Sequence, residues 1–166
     1  MIRTLRPRIA VLALAVLVSA SAASAQEVAV PIYGRWTGVF RPLVVTSLQS
    51  GSNGADRYTG SVELIPVHES GLDMYAVTVT LSSNVAAQML EWGVSMGRCG
   101  SKLIMLENAN QLPQIEMRSG GEGEIKHTVA LNMDNHKTYQ VGVFRNGHAQ
   151  QNMVACANLK LDDRWK

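Results

Sequence analysis

Cys99 has one possible intramolecular partner, Cys156, because the chain contains two cysteines. Cys99 lies in the stretch Met89-Leu90-Glu91-Trp92-Gly93-Val94-Ser95-Met96-Gly97-Arg98-Cys99-Gly100, and Cys156 in the closing run Met153–Leu159. A bond between them ties the middle of the chain to its last expected strand. Only folds that bring these two segments together are then open to it. In an exported chain such a pair reads as one disulfide, against the alternative of two buried free thiols. By loop-closure entropy the bond adds about 4 kcal/mol.

Export is itself written in the N-terminus. Arg3, Arg6 and Arg8 precede an apolar run from Ile9 to Val18, followed by small residues ending Ala23-Ser24-Ala25. A basic head, an apolar middle and an A-x-A site are the marks of a secretory signal peptide over residues 1–25. The apolar run is too short to cross ~30 Å of hydrocarbon as an anchor. The expected mature chain, residues 26–166, therefore lacks a transmembrane segment and is periplasmic or secreted. Charge changes with the leader. Of 15 basic and 13 acidic side chains, three arginines depart, so the mature chain is slightly acidic. The basic isoelectric point of the whole chain supports no nucleic-acid partner.

What remains suits one domain with one core. From Arg35 onward short β-rich runs alternate with turn clusters, and no stretch carries a helical stripe. Trp36–Leu48 contains a first strand, with Pro42 marking an edge or break. Residues 50–56 are a turn-rich connection, and Tyr58–Val67 resumes a strand. Tyr75, Val77, Val79 and Leu81 alternate with Ala76, Thr78 and Thr80, the period of a half-buried antiparallel strand. Val85–Met89 could form one helical turn. Leu90–Met96, Leu103–Leu106, Ile115–Arg118, Glu124–Leu131, Tyr139–Phe144 and Asn152–Lys160 are the remaining strand candidates, with Asn146-Gly147 a strong turn signal. The sum is an all-β fold: an antiparallel Greek-key β-sandwich of about eight strands, closed by one disulfide.

Several patterns invite a chemical reading. Gly93-Val94-Ser95-Met96-Gly97 matches G-x-S-x-G, and Asp134 and His148 follow in hydrolase order. That chemistry needs a strand-to-helix turn in a parallel sheet, which this pattern of strands does not supply. His68, His127, His136 and His148 show no metal-ligand spacing; His68, His136 and His148 lie in or near expected turns, and His127 is in phase with Ile125 and Val129. Seven methionines (Met74, Met89, Met96, Met105, Met117, Met133 and Met153) could serve copper(I), but they are dispersed as core fillers are. Glu63, Glu91, Glu107 and Glu116 sit on strand candidates whose default is solvent. Gly120, Gly121 and Gly123 fit a strand connection rather than a phosphate cradle, since no helix follows. No catalytic residue, metal ligand or cofactor-binding residue is assigned, and no cofactor is expected.

The order of these pieces resembles the superoxide dismutase-like β-sandwich family, including secreted chordin-type domains. The resemblance rests on Tyr58-Thr59-Gly60-Ser61-Val62-Glu63-Leu64, on Tyr75–Leu81, on Trp92…Gly97-Arg98-Cys99-Gly100 and on Val154-Ala155-Cys156, and spans roughly residues 58–159. It implies the Cys99–Cys156 bridge. It also implies where metal ligands belong, and there the chain departs. Gly93 and Ser95 stand where metal-binding members keep a His-x-His pair, and Phe144 stands at or close to a further histidine. Met153 replaces an arginine, and residues between Cys99 and Pro113 include no histidine. Copper(II) needs several imidazole-type donors, which glycine, serine and phenylalanine cannot provide.

The expectation is an exported, non-catalytic module of the cell envelope, binding or structural, whose partner is an unknown protein or small-molecule ligand. The alternative is a divergent metal-binding member: a dismutase-like enzyme, or a copper(I) handler using Met96, Met153 and His148. Intact-mass analysis of the native envelope fraction should show a chain beginning at Gln26. Retention of residues 1–25 in that fraction would contradict the export reading.

Overall fold

Alternation along the strands divides the sheet into two unlike halves. A computed structural model describes residues 34–43, 56–69, 72–85, 87–107 and 111–162. The expected leader, most of the 50–56 connection and the 44–48 part of the first expected strand lie outside them. The strands are β1 (Trp36–Pro42), β2 (Tyr58–Glu69), β3 (Leu72–Ser83), β4 (Met89–Met96), β5 (Ile104–Met105), β6 (Ile115–Glu116), β7 (Glu122–Ala130), β8 (Tyr139–Phe144), β9 (Met153–Asn158) and β10 (Lys160–Leu161). All pairings are antiparallel, and the order across the sheet is β5-β4-β8-β9-β1-β2-β3-β7, with β10 on β1 and β6 on β4. No α-helix occurs among the described residues.

β3 behaves as its sequence predicts. Tyr75, Val77, Val79 and Leu81 are buried, while the residues between them are half-exposed or exposed. β2 supplies Tyr58, Val62 and Leu64 to the same face. From the other half come Leu90, Trp92 and Val94 of β4, Tyr139, Val141 and Val143 of β8, and Ala155 and Ala157 of β9, all in one continuous core. The sheet is therefore curled so that one face closes on itself. Trp36 meets Tyr139 edge-to-face across this core, at 5.4 Å between centroids. Each large apolar side chain fully buried there stabilises the fold by about 1.5–3 kcal/mol.

β1 joins the halves. It pairs with β2 through Trp36–Phe40 and with β9 through Arg41 and Pro42. Pro42, which has no N–H to donate, is its last residue. β8 is buried at all six positions, and β9 from Met153 to Ala157. Burial on successive residues means burial on both faces. The β4–β8–β9 half must then carry a second layer on its outer side, whereas the β2–β3–β7 half leaves its outer face uncovered, with Ser61, Glu63, Thr78 and Thr80 beside an exposed Ile65.

The disulfide supplies that layer's anchor. Cys99 and Cys156 are bonded, with Cα atoms 5.8 Å apart. Other expectations need correction. Val85–Met89 forms no helical turn: Ala87 has φ 54° and Met89 already belongs to β4. His68, expected in or near a turn, lies on β2 one residue before the Glu69–Leu72 pair that ends the ladder with β3. The last expected strand breaks at Leu159, whose N–H donates to the Tyr139 carbonyl at 2.9 Å. Asn146 and Gly147 both have positive φ, as their turn signal requires.

Because the Cys99–Cys156 link spans a sequence separation of 57, its loss should be costly. Cys156→Ser is expected to lower stability by about 3–5 kcal/mol, read from denaturant unfolding of oxidised protein. A variant as stable as the parent would show that the bridge does not constrain the fold.

Candidate functional site

The outer face of β4–β8–β9 carries the chemistry-bearing residues that the inner core excludes. Reading across the ladders, Glu91 opposes Phe144, Gly93 opposes Gly142, and Ser95 opposes Gln140. Gly142 opposes Cys156, and Phe144 opposes Met153. The segment leaving β4 folds back over this face. Gly97 N–H donates to the Thr138 carbonyl at 2.8 Å, and Cys99 N–H donates to Asn158 Oδ1 at 2.8 Å. Ser101 Oγ closes a small turn on the Arg98 carbonyl at 2.6 Å. β5 then pairs with β4 through Ser95–Met105 and Met96–Ile104. We call residues 97–107 the strap.

Under the strap lies a second, smaller apolar cluster: Phe144, Met153 and Cys156, with Leu43, Cys99 and Leu103 packed against them. The paired glycines shape its floor. A Cβ on Gly142 would sit 2.6 Å from Phe144 Cζ and 2.9 Å from Met153 Cε. On Gly93 it would collide with Met105 Cε and come 2.8 Å from Glu107 Oε1. The two missing side chains make a notch, and two methionine ends, an aromatic ring and a carboxylate fill it. Methionine suits such a gap because its unbranched chain adapts to irregular space.

Glu107 is the most perturbed group on this face. Oε1 accepts the Val94 N–H at 2.8 Å, taking the place of a ladder partner, while Leu106 N–H donates to the Val94 carbonyl at 3.0 Å. Oε2 is buried without a hydrogen-bond partner. Burial raises the Glu107 pKa to about 7, against the lowering effect of donation from the Val94 and Glu107 backbone N–H groups. Nearby, Gln140 is fully buried, with Oε1 3.0 Å from Cys156 Sγ and Nε2 unpartnered.

The sequence motifs separate on this scaffold. Ser95 is fully buried within β4, and its hydroxyl donates to Met105 Sδ at 3.0 Å. His148 instead places Nδ1 3.1 Å from Glu91 Oε2 and Nε2 3.1 Å from the Trp92 carbonyl, with its ring 5.0 Å from that of Phe144. Asp134 serves its own turn: Oδ1 accepts the His136 N–H at 2.9 Å. Ser95, Asp134 and His148 therefore form no relay. Met153 belongs to the strap-side cluster, but Met96 packs against the inner core, so the proposed copper(I) trio is not assembled. Among the described residues no three His, Cys, Asp or Glu side chains gather as a metal site.

Of the carboxylates, Glu116 keeps its solvent-facing default, whereas Glu63 pairs with Arg35, Glu91 pairs with His148, and Glu107 is half-buried just beyond β5 with Oε2 enclosed. His127 faces the inner side of β7 opposite Val77, as its phase predicts, and is half-buried. The sequence reading missed Gln140 and the Gly93–Gly142 pair, and gave Met105 only as one of seven dispersed methionines. The two glycines were visible, but their pairing depends on a register that one sequence does not display. No protein-family model, curated protein or solved structure matches this chain.

Glu107 has a pH consequence. Its carboxyl titrates at about 7 in the fold against an ordinary 4.5, so the fold favours the neutral form. Its contribution is complete below pH 4.5, falls between 4.5 and about 7, and is absent above. Glu107→Gln keeps the acceptor for Val94 without the charge. It should be more stable than the parent at pH 8, by on the order of 2–3 kcal/mol, with the gap closing toward pH 4.5. Parallel denaturation curves for both proteins across pH 4.5–8 would refute this account of Glu107.

Proposed function

We propose that the chain is an exported, non-catalytic binding or structural module, built as a Greek-key β-sandwich of the superoxide dismutase-like kind. Three observations support the architecture. The β3–β4, β6–β7 and β7–β8 connections each pass from one half of the sheet to the other, as Greek-key topologies require. One core takes side chains from both halves. A disulfide anchors the segment after the fourth strand to the ninth, in keeping with an oxidising compartment.

The observation that carries the non-catalytic reading is the filled notch. Gly93, Ser95 and Phe144, the positions where the resemblance expects imidazoles, face the strap rather than open space. Met105 and Glu107 meet Gly93, Met105 accepts from Ser95, and Phe144 and Met153 meet Gly142. A redox copper site needs several nitrogen donors and an open coordination position. Here the donors are replaced and the space is occupied by two methionine ends, the Phe144 ring and the Glu107 carboxylate. The available sulfur is also committed, since Met105 Sδ receives the Ser95 hydroxyl and methionine methyl groups, not sulfur atoms, reach deepest into the notch.

The test is metal analysis of protein loaded with copper(II) and zinc(II) and then dialysed, beside a superoxide assay with added copper. Neither ion should be retained near stoichiometry, and superoxide should disappear no faster than in the protein-free control. Retained copper(II) with activity would overturn the reading in favour of a divergent dismutase. Stoichiometric copper(I) held against a competing chelator, and lost in Met153→Leu, would favour a copper(I) handler.

A further inference from the structure

We propose that the outer face of β1 beside the disulfide is a docking groove for an extended segment of a partner polypeptide, with two acidic residues four apart and an apolar residue midway. The groove has a volume of about 800 Å³, and its working surface is Thr37, Val39, Arg41, Leu43, Cys99 and Lys160. It begins where the strap-side cluster ends, since Leu43 and Cys99 both pack against that cluster and wall the groove.

Charge and spacing select the occupant. Arg35, at one side, is already engaged by Glu63. Arg41 and Lys160 are exposed and have no ionic partner among the described residues. Lys160 stands opposite Thr37 on the β1–β10 ladder, and Arg41 lies four residues farther along β1. At ~3.3 Å per residue the backbone positions that carry them, Arg41 and the Thr37–Lys160 pair, are roughly 13 Å apart along the strand. Val39 projects between them on the same face and is 71% exposed, the most exposed large apolar side chain described.

An extended chain laid along β1 repeats that spacing. Its residues i and i+4 reach the two cations, and residue i+2 covers Val39. A compact anion would leave Val39 in water, and so would a purely acidic segment. The row cation–apolar–cation thus calls for acid–x–apolar–x–acid. This deepens the binding-module reading and rests on it. The groove lies on β1 and the notch on β4 and β8, so metal loading and peptide binding fail independently.

The experiment is fluorescence anisotropy of a labelled peptide with the core Glu-Ser-Leu-Ser-Glu, titrated with oxidised mature protein. Saturable binding that weakens as salt rises is expected. Arg41→Glu with Lys160→Glu should weaken it about tenfold or more, and the order Glu-Glu-Leu-Ser-Ser should bind less well than the spaced peptide. Thermal melts establish that the charge-reversed protein is folded; if it is not, Arg41→Gln with Lys160→Gln takes its place. No saturable binding, binding undiminished by these substitutions, or equal affinity for both peptide orders would overturn the proposal. So would a long-chain dicarboxylate that competes as well as the peptide, by making the polypeptide dispensable.

Discussion

The Cys99–Cys156 bond obliges the chain that leaves β4 to lie against β9, and much of the structure follows from that covalent constraint. Once Cys99 is held there, Cys99 and Leu103 pack on the outer face of β8–β9, and β5 returns along the edge of β4 with the Met105 and Glu107 side chains over Gly93. This is why β8 and β9 are buried on successive residues while β3 alternates. A half-sheet covered on both sides no longer needs a polar outer face. The bond therefore does more than shorten the unfolded chain. It selects which half of the sheet receives a second layer.

That layer packs because two glycines face each other across the β4–β8 ladder. Gly93 and Gly142 remove both side chains from one cross-strand position, and Met105, Phe144 and Met153 enter the space. The polar groups on the same face are answered individually. Val94 N–H finds Glu107, the Ser95 hydroxyl finds a thioether, and His148 finds Glu91 and the Trp92 carbonyl. Glu107 Oε2 and Gln140 Nε2 remain unpartnered, which costs stability wherever burial denies them water. This face is apolar at its centre and polar at its margins. The exposed cations Arg41 of β1 and Lys160 of β10 lie beyond the edge of that layer.

Local patterns in the chain carried the strands well and their neighbours poorly. Tyr75–Leu81 was legible because its period of two is set by residues within one strand. The bridge was legible because two cysteines leave one pairing. Val85–Met89 was misread as a possible helical turn because its local composition does not reveal Ala87 in a left-handed conformation or the ladder that begins at Met89. Glu107 looked like an ordinary surface acid, since nothing in sequence places it over Gly93. Ser95 showed the opposite case: a suggestive motif whose hydroxyl faces a methionine. Function is harder still. The argument from Gly93, Ser95 and Phe144 depends on a resemblance, whereas the packing that fills their face depends on contacts between residues far apart in sequence.

The filled notch is the centre of the account, and methyl-labelled nuclear Overhauser spectroscopy reads it directly. With methionine Cε methyls labelled in oxidised protein, Met105 should show cross-peaks to the Gly93 α-protons, and Met153 to the Phe144 ring and Gly142. Both methyls should carry ring-current or burial-shifted resonances. Solvent-averaged methyl resonances for Met105 and Met153, with no cross-peaks to the two glycines, would contradict the account, because the face beneath the strap would then be open.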